Sequence, residues 1–119
     1  MIDYLSFIDN FGEYAYDCEL THPNDVFLRE QIVDDGVLLI QTYGRSIAIT
    51  NDTMVMNGKG EWVRADSLKA GDELKRDMMD NAVVQNVTTY NNMQYTMFKI
   101  VDCKQNYLIV NGFYILCDM

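Results

Sequence analysis

RSIAITNDTMVMNGKGEWVRADSLKAGDEL, residues 45–74, is the stretch whose reading decides the fold. Arg45–Thr50 reads as a strand, with Ile47 and Ile49 on one face. Thr53–Met56 is a further short strand. Asn57-Gly58-Lys59-Gly60 is a strong hairpin turn, and Glu61–Arg64 pairs back from it. Asp66–Lys69 is too short to hold a helix by itself. It reads as one turn whose Leu68 plugs the core, to which Trp62 is also expected to contribute. Ala70-Gly71-Asp72 then leads into an extended piece over Glu73–Arg76.

Working outward, the same signals recur at all-β spacing. Val26–Val33 reads as a strand. Asp34-Asp35-Gly36 is a turn, and Val37–Tyr43 is a strand buried on both faces at its start. Gly44 turns the chain, so 37–43 and 45–50 form a hairpin. Downstream, Asp77–Asn81 is a polar connection. Ala82–Tyr90 is rich in Val and Thr, as strands are. Asn91-Asn92 turns again, Gln94–Asp102 alternates, and Cys103–Gln105 is another turn. Asn106–Val110 and Phe113–Cys117 are two short apolar strands on either side of Asn111-Gly112. The expectation is one mostly β domain over residues 18–119.

Residues 1–17 read differently. Tyr4, Phe7, Phe11 and Tyr14 stand three or four apart, the spacing of one helical stripe. The segment is expected to be a short N-terminal helix packed on the domain, or an aromatic arm that docks on a neighbouring subunit. Leaving that much aromatic surface in water is unfavourable.

Composition narrows the function. The chain has 119 residues, 18 acids against 9 bases, and a formal charge of −9. Such a field repels phosphate backbones, and the basic residues are scattered among acids, so no direct nucleic-acid contact is expected. The N-terminus lacks a basic region and an apolar core, and no run is long enough to span a bilayer. Secretion by a signal peptide is not expected; the cytoplasm or a virion is. Three cysteines, Cys18, Cys103 and Cys117, favour free thiols. With a single histidine, His22, they lack the spacing of a zinc site. No phosphate loop or serine elbow is present. No metal or cofactor is expected.

The order of motifs resembles the Hint module, the fold shared by inteins and the autoprocessing domain of hedgehog proteins. In that family a strand ends in Thr-x-x-His. A turn, a Trp, an Ala, a Leu and Gly-Asp follow. Thr50-Asn51-Asp52-Thr53, Gly60, Trp62, Ala65, Leu68 and Gly71-Asp72 stand here in that order. The family closes with an aromatic strand, an Asn-Gly turn and His-Asn. Phe98-Lys99-Ile100, then Asn111-Gly112 before Phe113-Tyr114-Ile115, run in parallel with it. The resemblance covers roughly residues 36–117 and implies a horseshoe-shaped β domain.

It also implies which chemistry to look for. Self-splicing as the resemblance gives it needs an opening Cys or Ser, a His that protonates the leaving amide, and a terminal Asn that cyclises. Thr53 stands at the His position, Lys99 at that of the family's late Asp, and Leu116-Cys117 at the terminal His-Asn. A hydroxyl does not titrate near neutral pH as an imidazole does. The expected function is therefore a non-catalytic Hint-like structural or assembly protein that binds other protein subunits, as a phage or viral particle component would. The alternative is residual cysteine-dependent autoprocessing through Cys18 or Cys117. His22, in a Pro23 loop, reads as a surface residue.

Overall fold

Alternating and β-branched stretches bounded by Gly, Asn and Asp turns give strands joined by tight connections. The computed structural model describes residues 4–6, 26–33, 36–91, 95–103 and 105–116, with side chains for 36–91 and 105–116. Among these, the strands are β1 Tyr4–Ser6, β2 Val26–Val33, β3 Val37–Thr42, β4 Ser46–Thr50, β5 Met54–Met56, β6 Trp62–Arg64, β7 Glu73–Leu74, β8 Ala82–Tyr90, β9 Tyr95–Cys103, β10 Tyr107–Val110 and β11 Phe113–Leu116. The turn after β6 is a single 3-10 turn, Ala65–Ser67. The mostly β reading holds.

The strands form two sheets. One has the order β2-β9-β1-β4-β3-β8-β7 and the other β10-β11-β5-β6. The β3–β4 hairpin pairs from Val37↔Thr50 to Gln41↔Ser46. Val37, Leu38, Leu39 and Ile40 are all buried, so the first half of β3 is covered on both faces, as its unbroken apolar run predicts. Isolated bridges Asn57↔Leu74 and Arg76↔Phe113 stitch the two sheets together. Between them lies one cluster that includes Ile40, Ile49, Val55, Leu74, Val84, Phe113 and Ile115. Full burial of each such side chain stabilises the fold by roughly 1.5–3 kcal/mol.

Three expectations change. Tyr4–Ser6 is not helical. It is a strand, flanked by β9 through Leu5↔Phe98 and by β4 through Leu5↔Ile49. A short acidic helix interrupted by Gly12 is marginal alone, whereas a strand between two others satisfies the backbone groups of both neighbours. Phe7, Phe11 and Tyr14 lie outside the described residues, as does the rest of 7–25. Second, Cys103 belongs to β9, opposite Val26, and not to the following turn. Third, Trp62 is half-buried on the edge strand β6 and stands outside the core cluster. Its ring is amphipathic, with an N–H that needs a partner or water.

Candidate functional site

The site is built on the corner between β4 and β5. Thr50 ends β4 and Thr53 precedes β5. The chain turns in between, closed by the Thr53 N–H donating to the Thr50 carbonyl at 3.1 Å. The two hydroxyl oxygens lie 2.8 Å apart, hydrogen-bonded to each other. Thr53 is 0% exposed and Thr50 7%. Backbone bonds seal the corner on both sides. The Asn51 N–H donates to the Gly36 carbonyl (2.7 Å), the Ala65 N–H to Thr53 (2.8 Å) and the Asp66 N–H to Asn51 (3.1 Å). Each hydroxyl therefore has a partner that survives burial, which is the condition for keeping a polar group inside.

The register brings the other aligned positions toward this corner. Ile115 pairs with Val55, so the end of β11 runs alongside the start of β5, and Leu116 finishes next to the 50–53 turn. Leu116 is half-buried. Lys99 pairs with Tyr4, one residue along from the row Phe98–Leu5–Ile49 that crosses β9, β1 and β4. That places the Lys99 row beside Thr50 in the sheet. By register, position 116 lies beside the start of β5 after Thr53, and position 99 lies across β1 from Thr50. Cys18, His22 and Cys117 lie outside the described residues.

The fold has counterparts among solved structures. The chain superposes on an intein-like domain from Clostridium thermocellum with a TM-score of 0.63 at 15% identity, over 94% of this chain and 78% of that one. It matches the TvoVMA intein with a TM-score of 0.59 at 18% identity, over 77% of this chain and 59% of that one. It matches a DnaB intein from Synechocystis sp. PCC 6803 with a TM-score of 0.55 at 16% identity, over 98% and 79%. The fold is that of a Hint module. No family model matches the sequence, and no curated protein does. The chain spans 59% of the length of the TvoVMA intein.

Within this Hint fold, the residues that carried the resemblance hold the framework. Ala65 is fully buried where the 3-10 turn crosses the Thr53 carbonyl, and Leu68 is buried just after it. Gly71 has φ +96°, a conformation open to glycine. It lets the Gly71 N–H donate to the Val84 carbonyl (2.8 Å) while the Asp72 carbonyl accepts from Val84 (2.7 Å), clipping the loop to β8. The Asp72 carboxylate accepts the Lys69 N–H at 3.0 Å and so closes the turn. Asn111 and Gly112 both have positive φ, 52° and 86°, the pair that a two-residue hairpin of β10 and β11 requires. Asn111 is buried, and its side-chain amide donates to the Ser46 carbonyl at 2.9 Å.

Charge around the site is superficial. Arg64 grips Asp66 with two hydrogen bonds, 3.0 and 2.8 Å, on the outer side of the 3-10 turn. That hydrogen-bonded guanidinium holds the Asp66 carboxyl below its usual range. Burial pushes the Tyr114 hydroxyl up, helped by the nearby Asp77 carboxylate, to which it donates at 3.3 Å. A surface cleft of about 340 Å³ is lined by residues that include Asn57, Lys59, Leu68 and Asp72, and neither Thr50 nor Thr53 lines it. Among the described residues no three of His, Cys, Asp and Glu gather closely enough to hold a metal ion.

Sequence reasoning identified Thr53 as the position of interest but not its state. Nothing in the pattern says that the two hydroxyls pair or that the corner is sealed. It also missed Ser46, whose carbonyl anchors Asn111 from 65 residues away. A buried carbonyl acceptor leaves no mark in a sequence.

Proposed function

We propose that this chain is a Hint-fold binding module for other protein subunits that neither cuts nor joins its own backbone. The closed Thr50–Thr53 hydroxyl pair supports this reading. At the point where the resemblance puts a general acid, this chain has a group that stays neutral near pH 7. Its hydrogen-bonding capacity is turned inward, and it is 0% exposed. Protonating a leaving amide requires a group that can give up a proton and reach the scissile bond. A buried hydroxyl held by another hydroxyl does neither. Half-buried Leu116 at the converging end of β11 adds no polar group there.

The test sets the full chain between two reporter domains and follows intact mass over long incubation, with and without hydroxylamine. One unchanged mass is the expected result. A cleaved, ligated or hydroxylamine-released product overturns the reading. If that product vanishes in Cys18→Ala or Cys117→Ala, the cysteine-dependent alternative replaces it.

A further inference from the structure

An asparagine followed by glycine can modify itself. The glycine nitrogen, once it has lost its proton, attacks the side-chain carbonyl carbon (Cγ), and glycine has no Cβ to hinder the approach. Ammonia leaves, a cyclic imide forms, and water opens it to aspartate or isoaspartate. Asn57-Gly58 and Asn111-Gly112 both have the required order. Their surroundings separate them.

The Asn57 Oδ1 accepts the Lys59 N–H at 3.0 Å and the Glu61 N–H at 2.9 Å. Attack on Cγ puts negative charge on that oxygen, and two donors already aimed at it stabilise the charge. The leaving nitrogen, Nδ2, rests on the Glu61 carboxylate at 3.1 Å. Lys59, Gly60 and Glu61 are exposed, so water and hydroxide reach the turn. Packing keeps residue 58 a glycine, because a Cβ there would meet Asn81 Nδ2 at 2.7 Å and Glu73 Cβ at 2.9 Å. One restraint opposes the attack. The Gly58 N–H donates to the Glu73 carbonyl at 2.8 Å, and the Asn81 amide holds the Gly58 carbonyl at 3.3 Å. The bonds to Oδ1 lie inside the turn and move with it, so lifting the turn off β7 frees the nitrogen and leaves Cγ polarised. Asn111 has neither the water nor the freedom. It is 6% exposed, and its Nδ2 is fastened to the Ser46 carbonyl at 2.9 Å.

We propose that Asn57 is a self-modification site, which converts to aspartate and isoaspartate through an imide with Gly58 and so loosens the junction of the two sheets. The Gly58 N–Cγ bond forms, the Cγ–Nδ2 bond breaks, and Nδ2 leaves as ammonia with a proton from water. Water then adds across either C–N bond of the imide ring, with no change of oxidation state. Isoaspartate routes the main chain through the side chain and lengthens it by a carbon. That happens where Asn57 bridges Leu74, between the Gly58–Glu73 and Lys75–Met56 bonds. The proposal is independent of the binding-module reading, because the chain stays continuous. Hydroxylamine also opens such an imide, but it cuts between residues 57 and 58, and that cut is the reagent's own and persists in Cys18→Ala and Cys117→Ala.

The test incubates the full chain at neutral and mildly alkaline pH and maps its peptides by mass, beside a synthetic peptide of residues 53–62 as the reactive control. In the folded chain, the peptide holding Asn57 is expected to show NH2 replaced by OH, faster at the higher pH, while Asn111 stays intact. Asn81→Ala, an exposed change that unties the Gly58 carbonyl, should speed the conversion about twofold or more, the effect of losing one weak hydrogen bond. In the converted protein the Gly58 and Lys75 amide hydrogens should exchange faster than before. Four results overturn the proposal: an unchanged Asn57 while the control peptide reacts, conversion of Asn111 as fast as Asn57, no effect of Asn81→Ala, or unaltered exchange at both amides after conversion.

Discussion

The chain uses the dipeptide Asn-Gly twice, and the two copies do different work. Asn57-Gly58 opens the β5–β6 hairpin at the surface. The Asn57 side-chain oxygen accepts the Lys59 N–H (3.0 Å) and the Glu61 N–H (2.9 Å), and its amide reaches the Glu61 carboxylate (3.1 Å). The residue with positive φ is Gly60, at +82°, which matches a type I turn closed by a left-handed glycine. The side-chain bonds of Asn57 all stay within five residues, while the Gly58 backbone is tied to Glu73 and Asn81. Asn111-Gly112 is the tighter two-residue turn, and it is sunk into the molecule. Its side chain fastens β4 through Ser46, and the Gly112 carbonyl accepts the Asp77 N–H at 2.8 Å. The Asn57 side chain shapes its own loop, while the Asn111 side chain joins the two sheets. The lesson is that burial, and not residue type, sets what a turn is worth.

That contrast can be broken by substitution, measured as equilibrium urea unfolding. Asn111→Ala should cost the most, about 2–3 kcal/mol, because it strands the buried Ser46 carbonyl and puts alanine in a left-handed conformation. Gly112→Ala and Gly60→Ala should each cost about 1 kcal/mol. A Cβ meets no atom within 4 Å at either glycine, so the penalty is backbone strain alone and should be alike in both turns. Asn57→Ala should cost least, about 0.5 kcal/mol, since water replaces its exposed bonds. If Asn57→Ala proves as damaging as Asn111→Ala, the contrast fails. A larger effect at Gly112 than at Gly60 would sharpen it, by showing that the inner turn cannot relax.

The same division explains what could be read from the sequence. The β5–β6 and β10–β11 hairpins were legible, because their turn chemistry is local and their strands alternate. The order Thr50, Ala65, Leu68, Gly71-Asp72 and Asn111-Gly112 carried the Hint fold, since each of these residues meets a backbone or packing demand. Two things were illegible. Tyr4–Ser6 is three residues long, too short for a period-2 signal, and the aromatics around it mimic a helical stripe. Trp62 reads as core because tryptophan usually is, yet its strand lies at a sheet edge. At the candidate site, the letters put Thr53 where the resemblance expects an imidazole. That Thr53 pairs with Thr50 and is shut from water is a property of three dimensions.

β1 also has a consequence for how the molecule comes into being. In the sheet, β1 is the link between the β2–β9 ribbon and the block that starts with β4. During synthesis its residues emerge before either neighbour, and they must wait until residue 103 has been made before both flanks are present. The first strand made is therefore among the last to be locked in. Joining such distant segments is the slow kind of folding step. Until it is taken, the β2–β9 ribbon and the block that starts with β4 lack the strand that joins them.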